Sequence, residues 1–236
     1  MRLIRDEMGK RERRYSKTKE RRQEKAMTGE EALKSRLVEI GRRIDALGLT
    51  IGAGGNISAR RGEAMFIKRK GAHLGSAGAR DYVKVDILSG RCSSRRFEPS
   101  SESYFHLACY GKRKDIGAVI HTHPVFINAL GISDIPLERL TYESLVSIGT
   151  SVARIAYIRP GTRRLASSVE KAVRDHNAII LKNHGLIAVG ADPGEAMART
   201  MAAERAALSY VCAKVMGRTS FIPGKEVLHF ICSAGE

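Results

Sequence analysis

The sequence predicts a single α/β domain, and three observations carry that expectation. The chain has 236 residues at 43% hydrophobic content, enough for one sizeable core. Short β-branched apolar runs, Ala118 to Thr122, Ala178 to Leu181 and Leu186 to Val189, alternate with longer segments of helical periodicity. Several of those segments carry their own start and stop signals.

Taken in order, Thr28-Gly29-Glu30-Glu31 has the form of a capping box. It opens a helix whose apolar positions Leu33, Leu37, Ile40, Ile44 and Leu47 recur at helical spacing, until Gly48 stops it. Gly52-Ala53-Gly54-Gly55-Asn56-Ile57-Ser58 is a glycine loop running into an extended segment, a place where backbone amides can be exposed. Met65 to Lys68 and Asp81 to Leu88 read as strands, joined by a loop with Gly71, Gly75 and Gly78. Pro99-Ser100-Ser101-Glu102 opens a helix through Tyr110. Ala118 to Thr122 is a strand ended by Pro124, Phe126 to Gly131 is helical, and Ile155 to Ile158 is a further strand. Thr162 caps a helix reaching Asp175. The runs 178–181 and 186–189 look like buried strands on either side of an Asn183-His184-Gly185 turn. Asp192-Pro193-Gly194-Glu195 supplies an N-cap, a proline at the first helical position and an acid in the first turn, so the last long helix runs to Met216 with Gly217 as its stop.

Charge divides the chain unevenly. Of the formal +16, about +6 comes from the first 26 residues, a basic run with almost no apolar content, so residues 1–27 are expected to be a flexible extension and residues 28–236 the folded unit. Such an arm can make nonspecific contact with nucleic acid by counterion release. The balance of the charge suits a small polyanionic substrate as well as a polymer. No apolar run approaches the roughly 20 residues that cross a bilayer, and no apolar segment follows the basic start to make a signal peptide; a cytoplasmic protein without a membrane partner is expected. Cys92, Cys109, Cys212 and Cys232 have neither close pairing nor zinc-ribbon spacing, which points to free thiols.

The chemistry gathers on histidine. Side chains alternate along a strand, so His121 and His123 point the same way about 7 Å apart at Cβ, near enough to share one ion. Two surface imidazoles on an edge strand would look the same, but His184 in its own turn supplies a third ligand. Three protein ligands with one position left open are the catalytic arrangement for zinc, which imidazole suits. Ser100-Ser101-Glu102 adds two hydroxyls at a helix start, a natural anion site, then a carboxylate facing the same cavity; ordinary helix capping reads the same way.

In this order, Gly48-Leu49 to Gly55-Asn56-Ile57-Ser58, Pro99-Ser100-Ser101-Glu102 with His106, Ala118-Val119-Ile120-His121-Thr122-His123 and Asn183-His184-Gly185 resemble the class II aldolase and adducin-head family, over roughly Leu33 to Gly217. The resemblance implies a three-layer α/β/α domain with a central mixed, largely antiparallel sheet, assembled as a homotetramer with active sites at subunit interfaces. It implies zinc on His121, His123 and His184, with Glu102 as a metal ligand that turns base when substrate displaces it. Gly55, Asn56, Gly71, Ser100 and Ser101 match positions that hold a substrate phosphate, and Tyr142 matches a tyrosine that reaches a neighbouring subunit's site. The implied reaction is reversible cleavage of a ketose 1-phosphate, such as L-fuculose 1-phosphate, to dihydroxyacetone phosphate and a short aldehyde through a metal-stabilised enediolate. Epimerase, decarboxylase and dehydratase chemistry on a sugar phosphate, or a non-catalytic adducin-like scaffold, are the alternatives.

The chain also departs from the pattern. Ala53 stands where the family usually has a hydroxyl residue, and Lys68-Arg69-Lys70 where it has small hydroxyl residues before Gly71. Lys70 is expected to replace a hydroxyl with a point charge at the phosphate. No tyrosine follows Tyr210 to cover the site, and His229 is the nearest stand-in.

Overall fold

The computed structural model describes residues 29–137 and 141–233, with side chains through Leu228. The basic arm, the Thr28 cap and the His229 side chain lie outside the described residues. The element order is α1 (Gly29–Ala46), β1 (Asn56–Arg61), β2 (Ala64–Lys68), a 3-10 turn (Ala79–Asp81), β3 (Tyr82–Asp86), α2 (Ser103–Lys112), β4 (Ala118–Thr122), α3 (Val125–Ile132), α4 (Tyr142–Ile148), β5 (Ala153–Ile155), α5 (Arg163–Val173), β6 (Ala178–Leu181), β7 (Gly185–Gly190), α6 (Pro193–Met216) and α7 (Gly224–Ser233).

The seven strands form one sheet in the order β3-β2-β1-β4-β7-β6-β5. Every pairing is antiparallel except β5 with β6, so the sheet is mixed and largely antiparallel as expected. Alternation along the strands sorts the core onto two faces. Val119 of β4 and Ile187 and Val189 of β7 pack under Phe105 and Cys109 of α2 and Leu165, Val169 and Val173 of α5. On the other face Ile57, Ala118 and Ile120 pack against Leu37, Ile40 and Ile44 of α1, while Ile180 and Leu186 pack against Ile127 of α3 and Ala203 and Ala206 of α6. Helices on both faces make the three layers.

The local signals hold in the structure. Asp192 Oδ1 accepts from the amides of Gly194 and Glu195, Pro193 occupies the first turn, and Gly217 takes a φ of 122° at the end of α6. Two boundaries move most. The helix expected to open at Pro99 starts at Ser103, because Lys70 donates its amide to the Glu98 carbonyl and Ser100 donates to the Lys68 carbonyl, holding residues 98–100 extended. The strand expected over 155–158 is residues 153–155: its partner β6 ends at Leu181, and no backbone remains to pair beyond Ile155. Helices α4 and α7 were not foreseen.

Candidate metal centre and anion pocket

The site forms where β4 leaves the sheet beside the β6–β7 hairpin. His121, 0% exposed, is the fourth residue of β4 and shares its face with Val119. His123 follows just past the strand end, its amide held by the Leu49 carbonyl at 2.8 Å. His184 ends the three-residue loop of the hairpin, where Asn183 takes φ 58°. Asparagine visits that left-handed region more readily than most residues, which explains the Asn-His-Gly sequence. Gly185 is required beside it: a Cβ there would strike the Thr122 carbonyl and come within 2.8 Å of the His123 ring. Gly54 is required too, since its Cβ would lie 3.0 Å from His123 Nδ1.

The three Nε2 atoms converge. His121 Nε2 lies 3.1 Å from His123 Nε2 and 3.2 Å from His184 Nε2. His121 donates Nδ1–H to the Leu186 carbonyl at 2.9 Å, which leaves its Nε2 as a lone pair. Tetrahedral zinc with bonds of about 2.0–2.1 Å spaces its ligand nitrogens roughly 3.3 Å apart, close to these two separations, and all three candidate ligand atoms lie within 4.8 Å of one another. Burial, then the neighbouring imidazoles, push the pKa of His123 down to about 4; burial and His121 push that of His184 down to about 4. Both are therefore neutral ligands near neutral pH. The donor set fits a divalent transition metal such as zinc.

Glu102 completes the cluster. It is the N-cap residue of α2, yet its side chain makes no cap bond. Oε2 accepts from Asn56 Nδ2 at 2.9 Å and stands 3.3 Å from His121 Nε2, while Oε1 lies 3.5 Å from His184 Nε2, buried and without a hydrogen-bond partner. Burial pushes this carboxyl's pKa up, but His121, His184 and the Asn56 amide outweigh it and hold the group well below the usual carboxylate range.

A cavity of about 290 Å³ opens from the histidines, lined by Gly55, Lys68, Gly71, Ser100, Ser101 and Glu102 among others. Ser100 Oγ accepts from the Glu102 amide. Gly55, at φ 66°, passes too close to Thr50 to carry a side chain. Lys70 lines the rim, but its ammonium is mostly exposed and pairs with Glu98 at 3.2 Å. Lys68, absent from the sequence-derived set, is the buried cation: 2% exposed, it donates to the Ala53 carbonyl at 2.8 Å and the Ala72 carbonyl at 2.7 Å, tying the glycine loop to the loop around Gly71. Burial pushes its pKa down to about 8. Asn56 turns its side chain to Glu102 and His106. Tyr142, at the start of α4, is 68% exposed and is not part of this cavity's lining. A larger neighbouring cavity of about 610 Å³ shares Lys70, Ser100 and Ser101 but has none of the histidines.

Residues 35–211 match the family described as Class II Aldolase and Adducin N-terminal domain. The chain belongs to the class II aldolase family. Its similarities agree with that membership. It is 32% identical over 159 residues to the L-fuculose phosphate aldolase of Methanocaldococcus jannaschii, covering 67% of this chain and 84% of the relative. It is 30% identical over 196 residues to the 5-methylthioribulose-1-phosphate/5-deoxyribulose-1-phosphate aldolase of Rhodospirillum rubrum, covering 83% and 88%. Among solved structures, an L-fuculose 1-phosphate aldolase superposes with a TM-score of 0.81 at 29% identity over 89% of this chain and 98% of that one. A putative aldolase/epimerase/decarboxylase of Klebsiella pneumoniae gives 0.80 at 25% identity over 86% and 99%. The relatives named as aldolases support a class II aldolase, a lyase. Class II aldolases are metal-dependent, and the three-histidine cluster is where this chain can hold the ion. Among the described residues no helix is long and apolar enough to cross a membrane.

Proposed function

We propose that the chain is a zinc-dependent aldolase that reversibly cleaves a ketose 1-phosphate of the L-fuculose 1-phosphate kind into dihydroxyacetone phosphate and a short aldehyde. The observation that carries this reading is the convergence of three Nε2 atoms and Glu102 on one wall of a cavity whose other wall offers glycine loops, two serines and a lysine. His121, His123 and His184 would hold the metal, with Glu102 as a fourth ligand while no substrate is present. A metal held there would supply Lewis-acid chemistry, stabilising the negative charge that develops on substrate oxygens as the carbon–carbon bond breaks.

The protein's own groups do the rest. Gly55, Gly71, Ser100 and Ser101 surround the phosphate, and Lys68 supplies the cation facing it. Glu102 takes the proton of the C4 hydroxyl, the C3–C4 bond breaks as the C4 oxygen becomes the aldehyde carbonyl, the bond's electron pair stays with C3, and Glu102 returns the proton to C3 to complete dihydroxyacetone phosphate. Tyr142, exposed on its own chain, would serve the aldehyde oxygen of a neighbouring subunit in a homotetramer. Tyr142→Phe is then expected to lower turnover about tenfold or more without changing metal content. An unchanged rate, or a monomer by sedimentation, would remove Tyr142 from the mechanism.

Lys68 gives a pH test. With its pKa pushed down to about 8, the ammonium is lost as pH rises past that value, so KM for the sugar phosphate is expected to climb above about pH 8. Lys68→Arg should remove the climb, since guanidinium stays charged. Lys68→Met should raise KM roughly tenfold or more at pH 7, whereas Lys70→Met, at the exposed rim, should change it little. The reverse order would return the phosphate role to Lys70.

The deciding experiment is elemental analysis of protein purified without added metal, together with assay of dihydroxyacetone phosphate release from L-fuculose 1-phosphate and from 5-methylthioribulose 1-phosphate. About one zinc per chain with release from either sugar supports the reading. Metal without release from any ketose 1-phosphate would move the chain to epimerase or decarboxylase chemistry, and no metal would sink it. The Rhodospirillum rubrum relative, which spans the larger share of this chain, favours a 5-deoxy or 5-thio ketopentose phosphate as the second substrate to try.

A further inference from the structure

We propose that Asn56, clamped by a buried hydrogen-bond chain running from Tyr110 through Ser58 and His106, is a positioning residue that pins Oε2 of Glu102 and leaves Oε1 as the oxygen that works on substrate. This rests on the reading of Glu102 as the proton carrier. The chain has four links. Tyr110 Oη lies 2.7 Å from Ser58 Oγ, Ser58 Oγ lies 2.7 Å from His106 Nδ1, His106 Nε2 lies 2.5 Å from Asn56 Oδ1, and Asn56 Nδ2 lies 2.9 Å from Glu102 Oε2.

Only one assignment of protons fits all four. A carboxylate can only accept, so the amide NH2 of Asn56 must face Glu102. Its carbonyl oxygen then faces His106, whose Nε2 must carry the proton. A neutral imidazole has one N–H, so His106 Nδ1 is an acceptor and takes the Ser58 hydroxyl proton. Ser58, its single proton committed, can only accept from Tyr110. Each donor points toward Glu102, and turning the Asn56 amide over would set its oxygen against the carboxylate and leave His106 Nε2 without an acceptor.

Burial enforces the assignment. Ser58, His106 and Tyr110 are 0% exposed and Asn56 is 3% exposed, so water offers no alternative partner. Burial pushes the His106 pKa down to about 3 and pushes that of the Tyr110 phenol up, which keeps both groups neutral near pH 7 and the polarity fixed. At the receiving end Oε2 is held by Asn56, while Oε1 has no hydrogen-bond partner and lies on the His184 side. The geometry also follows from two sequence periods: Glu102, His106 and Tyr110 are four residues apart at the start and along α2, and Asn56 and Ser58 alternate onto one face of β1.

His106→Phe keeps a buried ring and removes the N–H that orients Asn56; His106→Gln restores an N–H donor near the position of Nε2. The probe reaction is solvent deuterium exchange into C3 of dihydroxyacetone phosphate, read as kcat and KM on metal-loaded protein. His106→Phe is expected to lower kcat for exchange roughly tenfold or more with KM and metal content unchanged, and His106→Gln to recover most of it. A folded, metal-loaded His106→Phe exchanging at nearly the wild-type rate would overturn the proposal, as would His106→Gln falling equally far. If the wild type exchanges no deuterium, the reading of Glu102 fails separately. Histidine 15N spectra of the wild-type protein then decide the clamp, and do so too if His106→Phe does not fold. A neutral His106 protonated at Nε2 between about pH 6 and 8 supports it, and the Nδ1–H tautomer overturns it.

Discussion

Replacing His121 with alanine is expected to cost the protein its metal and to lower turnover by a factor on the order of 10³ or more. The reason is position within the cluster. His121 stands between the other two ligands, 3.1 Å from His123 Nε2 and 3.2 Å from His184 Nε2, and its orientation is locked by the Leu186 carbonyl. Removing it leaves two imidazoles and a carboxylate that lack the common centre it defined. Lewis-acid stabilisation of several kcal/mol is lost with the ion, which at about 1.4 kcal/mol per decade gives the stated factor. The fold should survive. The ring sits edge-on to Phe105 at 5.4 Å, and its loss leaves a cavity costing about 2–4 kcal/mol, below the total stability of an ordinary domain. Elemental analysis with a circular dichroism melt checks both halves. Removing the metal from wild type with a chelator should give the same inactive, folded protein at a lower Tm, because an ion that binds only the native state stabilises it by mass action. Full metal and full turnover in His121→Ala would remove the histidine cluster from the chemistry.

Much of this site was legible because strand and turn periods are local. Ala118 to Thr122 is β-branched and short, and alternation alone aims His121 and His123 together. The Asn183-His184-Gly185 turn announces itself by the two residues suited to a left-handed corner and a close approach. The cap of α6 lies in four consecutive residues. What stayed hidden depends on distant partners. Lys68 at a strand end reads as a solvated charge, and only the approach of the Ala53 and Ala72 carbonyls makes it a buried one. Helix α4 has seven residues, too short for a periodicity argument, and its capping box closes with Ser144 where a Glu or Gln would have flagged it. The His106 clamp was half visible: the spacing of Glu102, His106 and Tyr110 on one helix face is plain, but its meaning requires β1 to lie alongside, and β-register is set by tertiary pairing.

Glu102→Gln separates proton transfer from metal holding. Glutamine has nearly the same volume, so a side chain that is 7% exposed keeps its packing, and the amide oxygen still accepts from Asn56 Nδ2. What disappears is the group that can take and return a proton. General acid–base catalysis is worth about 10²–10⁴-fold, and turnover is expected to fall by that amount while His121, His123 and His184 keep the metal. Glu102→Asp is the sharper companion. It keeps the charge but withdraws the carboxylate by roughly 1 Å, a displacement that commonly costs about 10²-fold where reacting atoms must be aligned. Steady-state turnover and metal content measured on both variants distinguish the possibilities. Loss of activity with metal retained identifies Glu102 as the proton carrier, whereas loss of metal in Glu102→Gln would make it chiefly a ligand and leave the proton at C3 to another group. Because Oε2 is already bound to Asn56, the aspartate variant meets a specific conflict: its shorter reach can satisfy the amide or approach the substrate, and the geometry does not allow both.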